Sequence, residues 1–235
     1  MFQFKQFFVK QDKTAMKVGT DGVLLGAWAP IHHNPFSVLD IGAGTGIIAL
    51  MLAQRSYAEQ IDALEIDEDA YEQAVENFEA SPWGDRLFCF HAGLDEFIDE
   101  PEDEYDLIVT NPPFYAEDYK TDNEQRDLAR FQDAMPFEEI IEAADLLLSE
   151  NGILAVIIPF KEEEKFIALA KEFELYPLKI TRVKGNPKTE IKRSLLAFSR
   201  NEVSEIVIDE LTIEIDRHVY TPEYIELTKD FYLKM

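Results

Sequence analysis

The chain predicts an α/β fold, a doubly wound and mostly parallel sheet with an antiparallel end. Three observations carry this expectation. Short apolar runs alternate with helix-length amphipathic segments between residues 37 and 173, the pattern of strand–helix–strand units. The runs Ser37–Ile41, Tyr105–Val109 and Ile153–Ile158 are nearly continuous, as strands covered on both faces are. From residue 177 the alternation gives way to successive strands.

Taken in order, Phe2-Gln3-Phe4-Lys5 alternates with period two and blurs at Phe7-Phe8-Val9. Lys17–Gly22 punctuates the chain, and Thr20 or Asp21 is expected to cap a short helix, Val23–Trp28, that Pro30 ends. Residues 1–30 read as an N-terminal extension packed on a domain of residues 31–235. Ser37–Ile41, the first core strand, runs into Gly42-Ala43-Gly44-Thr45-Gly46 and a helix, Ile47–Arg55. Ile61–Leu64 is the second strand, and Asp67 is placed to cap a helix, Glu68–Phe78. Ser81-Pro82-Trp83-Gly84 turns the chain into a third strand, Arg86–His91. Tyr105–Val109 follows, ending in Thr110-Asn111-Pro112-Pro113-Phe114-Tyr115. Beyond a polar stretch, 116–133, Pro136 opens an amphipathic helix through Ile140, Ile141, Ala144 and Leu147. Asn151-Gly152 turns into Ile153–Ile158, and Lys161–Phe173 forms a helix. Strands near Pro177–Val183, Arg193–Ser199 and Glu205–Ile215 precede a final helix, Pro222–Tyr232.

Composition narrows the function classes. One cysteine, Cys89, excludes an internal disulfide and a cysteine-rich zinc site, and the four histidines are scattered, so no metal is expected. The glycine-rich uncharged run Ile41–Gln54 is too short to cross a bilayer, and no signal peptide is visible. A cytoplasmic monomer is the expectation. The net charge of −25, from 22 basic and 47 acidic residues, opposes nucleic-acid binding on average. The distribution is uneven. Residues 1–20 and 176–200 together hold 11 of the 22 basic residues and 2 of the 47 acidic ones. Should these windows meet in space, with Lys192 and Arg193 among them, a basic surface would stand on an acidic body; chance clustering on solvated faces is the plainer alternative.

The chemistry concentrates at Asn111. In open α/β sheets ligands lie beyond the carboxyl ends of the strands, where this residue falls. Two successive prolines stiffen the turn. The amide oxygen of Asn111 and the carbonyl of Pro112 can each accept one hydrogen of a flat amino group, and Phe114 can stack on the ring that carries it. Gly42–Gly46 has its third glycine one residue earlier than a dinucleotide fingerprint does, with Ile47 at the dinucleotide position. Glycines there admit close backbone approach, and the helix start offers free N–H groups. Glu65, at the end of the second strand, can accept both hydroxyls of a ribose. Arg126 and Arg130, four apart, would share one helix face beside this mouth and could hold phosphates.

Asn111-Pro112-Pro113-Phe114 after the fourth strand resembles the catalytic motif of S-adenosylmethionine-dependent amino-methyltransferases. Leu39-Asp40 followed by Gly42–Gly46 resembles the cofactor loop of the class I enzymes. The resemblance implies a seven-stranded, Rossmann-like sheet. It also implies S-adenosylmethionine as cofactor, held by Asp40, Gly42, Gly44, Gly46 and Glu65. That family usually carries an acid just after the third strand, against the cofactor adenine; here Gly93 stands in that place, so either Asp95 shifts into the role or backbone alone recognises the adenine. The blocks Phe4–Phe7, Gln11-Asp12, Ala15–Gly22, Leu25–Trp28, Ser81–Trp83 and Phe231–Leu233 are similar to one bacterial subfamily, the tRNA1(Val) adenine-N6-methyltransferases. That likeness is strongest from Phe2 to about Tyr115 and weak over residues 160–200. It implies catalysis by Asn111, Pro112 and Phe114 on the adenine 3′ of a tRNA anticodon, position 37. Tyr115, Arg126, Arg130, Lys192 and Arg193 become the RNA-binding candidates. Rival readings are a ribosomal-RNA guanine-N2-methyltransferase, a protein glutamine methyltransferase, and a non-catalytic RNA-binding module on the same fold.

Overall fold

A computed structural model describes residues 1–99, 104–113 and 135–235. A two-strand hairpin, β1 (Phe2–Gln3) and β2 (Phe8–Val9), leads into α1 (Thr20–Trp28). The core then alternates β3 (Ser37–Ile41), α2 (Ile47–Arg55), β4 (Gln60–Glu65), α3 (Glu68–Glu79), β5 (Leu87–His91), α4 (Leu94–Ile98) and β6 (Tyr105–Thr110). After α5 (Phe137–Leu147) come β7 (Leu148–Pro159) and α6 (Glu163–Glu172), then β8 (Tyr176–Lys184), β9 (Ile191–Ser199) and β10 (Val207–Thr212). A small hairpin, β11 (Glu214–Asp216) with β12 (Val219–Tyr220), precedes α7 (Pro222–Thr228).

The main sheet has the order β10-β8-β9-β7-β6-β3-β4-β5. It is the expected doubly wound sheet with one strand more than seven; β10 adds itself in parallel to β8 at the edge. Within the described sheet β9 alone runs against its neighbours, pairing antiparallel with both β7 and β8. The order reverses at β3, which lies between β4 and β6, and such a switch point leaves a crevice beyond the strand ends.

Strand residues alternate between two apolar layers, which is why the runs read as continuous in sequence. Val38, Ile61, Leu107, Val109, Ala155 and Ile157 face a cluster that includes α1 and α2. Leu39, Ile41, Leu64, Ile108, Leu154, Val156 and Ile158 face the cluster built from α5 and α6. The N-terminal residues join the first layer: Phe4 stacks on Phe7 with centroids 4.7 Å apart and lies 5.8 Å from Tyr232, while Lys5 donates its backbone N–H to Phe231. That ring cluster explains why period two blurs so early. Aromatic contacts, not a long ladder, fasten this end.

Some local expectations are corrected. The cap of α1 is Gly19, with no side-chain hydrogen bond; Thr20 and Asp21 lie inside the first turn, and the Asp21 carboxylate is taken by Arg193 at 2.8 Å. The helix after Pro159 opens with a 3-10 turn, Phe160–Glu162, and α7 stops at Thr228, short of Tyr232.

Gly46 precedes α2 with φ +75°, and a Cβ there would lie 2.4 Å from Cε1 of Phe78. Gly42, with φ +76°, has nothing within 4 Å of such a Cβ. Gly42→Ala is therefore expected to cost about 1–2 kcal/mol of backbone strain. Gly46→Ala is expected to cost about 2–5 kcal/mol, because overpacking adds to that strain. Urea unfolding of both variants checks the ranking, and equal costs would contradict it.

Candidate active site

Strand register brings the candidate residues to one level. Ile41 pairs with Leu64 on one side and Thr110 on the other, so Gly42, Glu65 and Asn111 stand at one level, one residue past that rung. Thr110 Oγ1 donates to the Ile41 carbonyl at 2.9 Å, tying the two central strand ends at the switch point. Asn111 is half-buried, Pro112 buried and Pro113 exposed, with the Pro113 carbonyl accepting the N–H of Met135 at 3.2 Å. Phe114, Tyr115, Arg126 and Arg130 lie outside the described residues.

Backbone builds the glycine loop. The N–H groups of Gly42 and Ala43 both donate to the Leu64 carbonyl, at 3.0 and 2.9 Å. Gly42 and Gly44 present open space where side chains would stand. Glu65 braces the loop, accepting from Gly44 N at 2.7 Å through Oε2 and from Asp67 N at 2.9 Å through Oε1. Asp67 is committed elsewhere as the cap of α3, accepting from Ala70 N at 2.8 Å. The two acids thus separate into the places that the sequence suggests. Gly93 caps α4, and a Cβ on it would lie 2.6 Å from Oδ1 of Asp95. The Asp95 carboxylate therefore occupies the space that a side chain at position 93 would take.

Asp40 is fully buried beneath this loop. Its Oδ2 accepts the Ala49 N–H at 3.1 Å, while its Oδ1 has no partner among the described residues. Burial pushes its carboxyl up to about 7, with the nearby Glu65 charge adding to the rise. An acceptor left unmatched beside an open backbone cradle suits a ligand with polar hydrogens. The donors and acceptors present fit S-adenosylmethionine: the cradle and Asp40 for its amino-acid portion, and Glu65 for its ribose. Among the described residues no group of His, Cys, Asp and Glu could hold a metal ion.

Much of the two basic windows is neutralised locally. Lys10 pairs with Glu76 at 3.1 Å, and Lys13 pairs with Glu72 and Glu76 at 2.8 and 2.9 Å. Lys5 donates to carbonyls of Lys229 and Met235. In the second window Lys179, Arg182, Lys184, Arg193 and Arg200 face Asp209, Glu163, Glu210, Asp21 and Asp145. The imagined joint surface is mostly a set of ion pairs, and Arg193 pairs with Asp21, one residue beyond the first window. Lys17, Lys188 and Lys192 have no ion pair among the described residues. Lys192 lies beside Arg193, which pairs with Pro159 at the carboxyl edge of the sheet.

Sequence reasoning passed over Gln73 and Asn77, both buried on α3. Asn77 Nδ2 donates to the carbonyls of Lys10 (3.0 Å) and Thr45 (2.9 Å), and its Oδ1 accepts Lys10 N at 2.8 Å. Gln73 Oε1 accepts the N–H groups of Asp12 and Lys13 at 3.0 and 3.1 Å. Together they clamp the N-terminal segment against the glycine loop. A signal existed: both polar residues sit at helical spacing with Ala70, Ala74 and Phe78, on the face that faces the core.

A pH dependence follows from Asp40. Its folded value of about 7 exceeds the ordinary 3.8, so the native state binds the proton more tightly than the unfolded chain. Its contribution is complete below about pH 4 and is lost as pH rises through about 7, on the order of 4 kcal/mol at most. Asp40→Asn, which keeps an acceptor for Ala49, is expected to lose this pH-dependent component. Urea unfolding between pH 4 and 8 checks it; parallel curves for both proteins would contradict the assignment.

The methyltransferase small domain model matches residues 29–182. A Flavobacterium johnsoniae protein named tRNA1(Val) (adenine(37)-N6)-methyltransferase is 90% identical over 235 residues, 100% of both chains. One of the same name from Phocaeicola vulgatus is 47% identical, covering 100% of this chain and 98% of its own. Among solved structures, a predicted O-methyltransferase from Agrobacterium tumefaciens superposes with a TM-score of 0.69 at 18% identity, covering 90% of this chain and 96% of its own. A ribosomal protein L11 methylase from Lactobacillus delbrueckii gives 0.55 at 20% identity, with 77% of each chain covered. The structural likenesses establish the class I methyltransferase fold, and the sequence relatives establish more: the chain belongs to the tRNA1(Val) (adenine(37)-N6)-methyltransferase family.

Proposed function

We propose that this chain transfers a methyl group from S-adenosylmethionine to N6 of adenine 37, the base 3′ of the anticodon, in tRNA1(Val). One observation carries the reading. The Asn111-Pro112 acceptors leave the sheet at the level of the glycine loop and Glu65, around a single switch point. The full-length relatives named for this reaction support the choice of substrate. When bound, S-adenosylmethionine supplies a methyl group made electrophilic by a sulfonium. Gly42, Gly44 and Gly46 shape the cradle for its methionine portion, with Asp40 beneath. Glu65 keeps lone pairs for the ribose hydroxyls, and Asp95 takes the adenine-facing role that Gly93 cannot fill.

Adenine N6 is a poor nucleophile, because its lone pair is delocalised into the ring. The Asn111 amide oxygen and the Pro112 carbonyl each accept one N6 proton and favour the pyramidal nitrogen of attack. Those bonds strengthen as positive charge develops on nitrogen, so they act mainly on the transition state. Fixed positioning by the stiff Pro112-Pro113 turn contributes as well. The new N–CH3 bond forms as the methyl leaves sulfur, and an N6 proton departs to water. The base must leave its stack, which an anticodon loop makes easier, and Phe114 with Tyr115 recovers part of that cost by stacking. Arg126, Arg130, Lys192 and Arg193 meet the phosphates. Residues 1–30 serve as an N-terminal extension on the 31–235 methyltransferase domain. The reading includes a cytoplasmic monomer, the compartment following from a tRNA substrate. No helix among the described residues is long and apolar enough to cross a membrane.

The decisive experiment incubates the protein with labelled S-adenosylmethionine and RNA lacking this modification, then identifies the labelled nucleoside. N6-methyladenosine in tRNA1(Val) is expected; N2-methylguanosine in ribosomal RNA would overturn the substrate and keep the mechanism. Asn111→Ala is expected to slow transfer at least about a hundredfold, the scale of losing a transition-state hydrogen bond. Its cofactor affinity by calorimetry should stay within about threefold of the parent, because Asn111 holds the substrate amine. Loss of cofactor binding alone would contradict its role.

A further inference from the structure

Phe160 and Arg182 form a composite surface beside the candidate site that none of the assignments above uses. Pro159 ends β7, the strand next to β6. Thr110 pairs with Val156, so Pro113 and Pro159 stand three residues beyond the same rung, and Phe160 follows at that mouth. The two segments therefore leave adjacent strands at the same edge of the sheet. The Phe160 ring is 36% exposed, and the Arg182 guanidinium lies 5.5 Å from its centroid.

That guanidinium is held from below. Ile158, Ser194 and Arg182 form one cross-strand row over β7, β9 and β8, on the face that carries α6. Glu163, 3% exposed at the start of α6, accepts from Arg182 Nη2 at 2.7 Å and from Nε at 3.1 Å. The hydroxyl of Ser194 donates to the other Glu163 oxygen. A buried carboxylate is costly unless its lone pairs are matched, and here they are. The result is a guanidinium with little rotational freedom, set over an aromatic ring. Arg182 Nη1 has no hydrogen-bond partner among the described residues. The neighbouring β8–β9 turn carries Lys188, and β9 carries Lys192 at its start; neither has an ion pair among the described residues. The charges of Glu164 and Glu210 also act on the Arg182 guanidinium, which is therefore set among carboxylates.

We propose that Phe160 and Arg182 form a stacking seat for an unstacked nucleobase of the RNA, next to the base being methylated, with Glu163 as the positioning residue for Arg182. An aromatic face and a guanidinium plane are the two surfaces on which splayed RNA bases rest. The free Nη1 hydrogens and the neighbouring lysines suit the attached phosphates. An acidic or apolar protein segment would use the cations or the ring, whereas a nucleotide uses both. The inference rests on the reading of the chain as an RNA methyltransferase.

The test uses the full chain with Phe160→Ala, Phe160→Trp and Arg182→Lys, and an anticodon stem-loop RNA as probe. Phe160→Ala is expected to raise the RNA Kd and the KM for RNA about tenfold, the scale of one lost base–aromatic stack. Its S-adenosylmethionine Kd and melting temperature should stay as in the parent. Phe160→Trp should restore RNA affinity, and Arg182→Lys, which keeps the charge and loses the plane, should fall between. Unchanged RNA Kd in Phe160→Ala, or cofactor affinity that falls in step with RNA affinity, would overturn the seat. A parent that binds the stem-loop without methylating it would sink the proposed activity, while the Kd series still judges the seat. A parent that binds no RNA would overturn both.

Discussion

The position of β3 between β4 and β6 is the constraint on which the rest depends. Parallel pairing of Ile41 with both Leu64 and Thr110 sets three strand ends level. Because side chains alternate along a strand, a slip of one residue would turn Leu39 and Ile41 away from their layer and move Asn111 off the level of Gly42. Apolar burial on both faces therefore enforces the register that assembles the site. The Thr110–Ile41 hydrogen bond and the Leu64 carbonyl, shared by Gly42 and Ala43, extend this order past the last sheet rung.

The glycine loop is held from two further directions. Glu65 grips it from the end of β4, and Asn77 reaches it from α3 through the Thr45 carbonyl. Since Asn77 also binds both backbone groups of Lys10, the N-terminal segment and the glycine loop share one anchor. Buried side-chain amides make such joints well, because each offers donors and an acceptor in one rigid plane.

Electrostatics on this chain is local. Paired exposed charges contribute little stability, typically under about 1 kcal/mol, so the many surface pairs explain placement more than strength. Their effect is to spend most of the cations of two basic windows within the fold. What remains available to a polyanion clusters at the carboxyl edge of the sheet, near Lys188 and Lys192. An acidic body elsewhere would repel RNA, which suits the engagement proposed at that edge.

The sequence by itself determined the strand–helix order, the glycine loop, the capping of α3 by Asp67, and the Asn111-Pro112 turn. These are encoded in local pattern: residue periodicity, glycine where φ is positive, and proline where the backbone is stiff. It misjudged the cap of α1, because Asp21 is drawn off by Arg193, 172 positions away in the chain. The pairing partners of the basic windows, the displacement of Asp95 into the space over Gly93 and the clamp at Gln73 and Asn77 were also beyond its reach. So was the contact of Arg182 with Phe160 and Glu163, which lie on different elements from it. Each is a contact between segments distant in sequence, which no local period records. Only the tertiary structure decided them, because packing chooses which of many compatible polar partners meet.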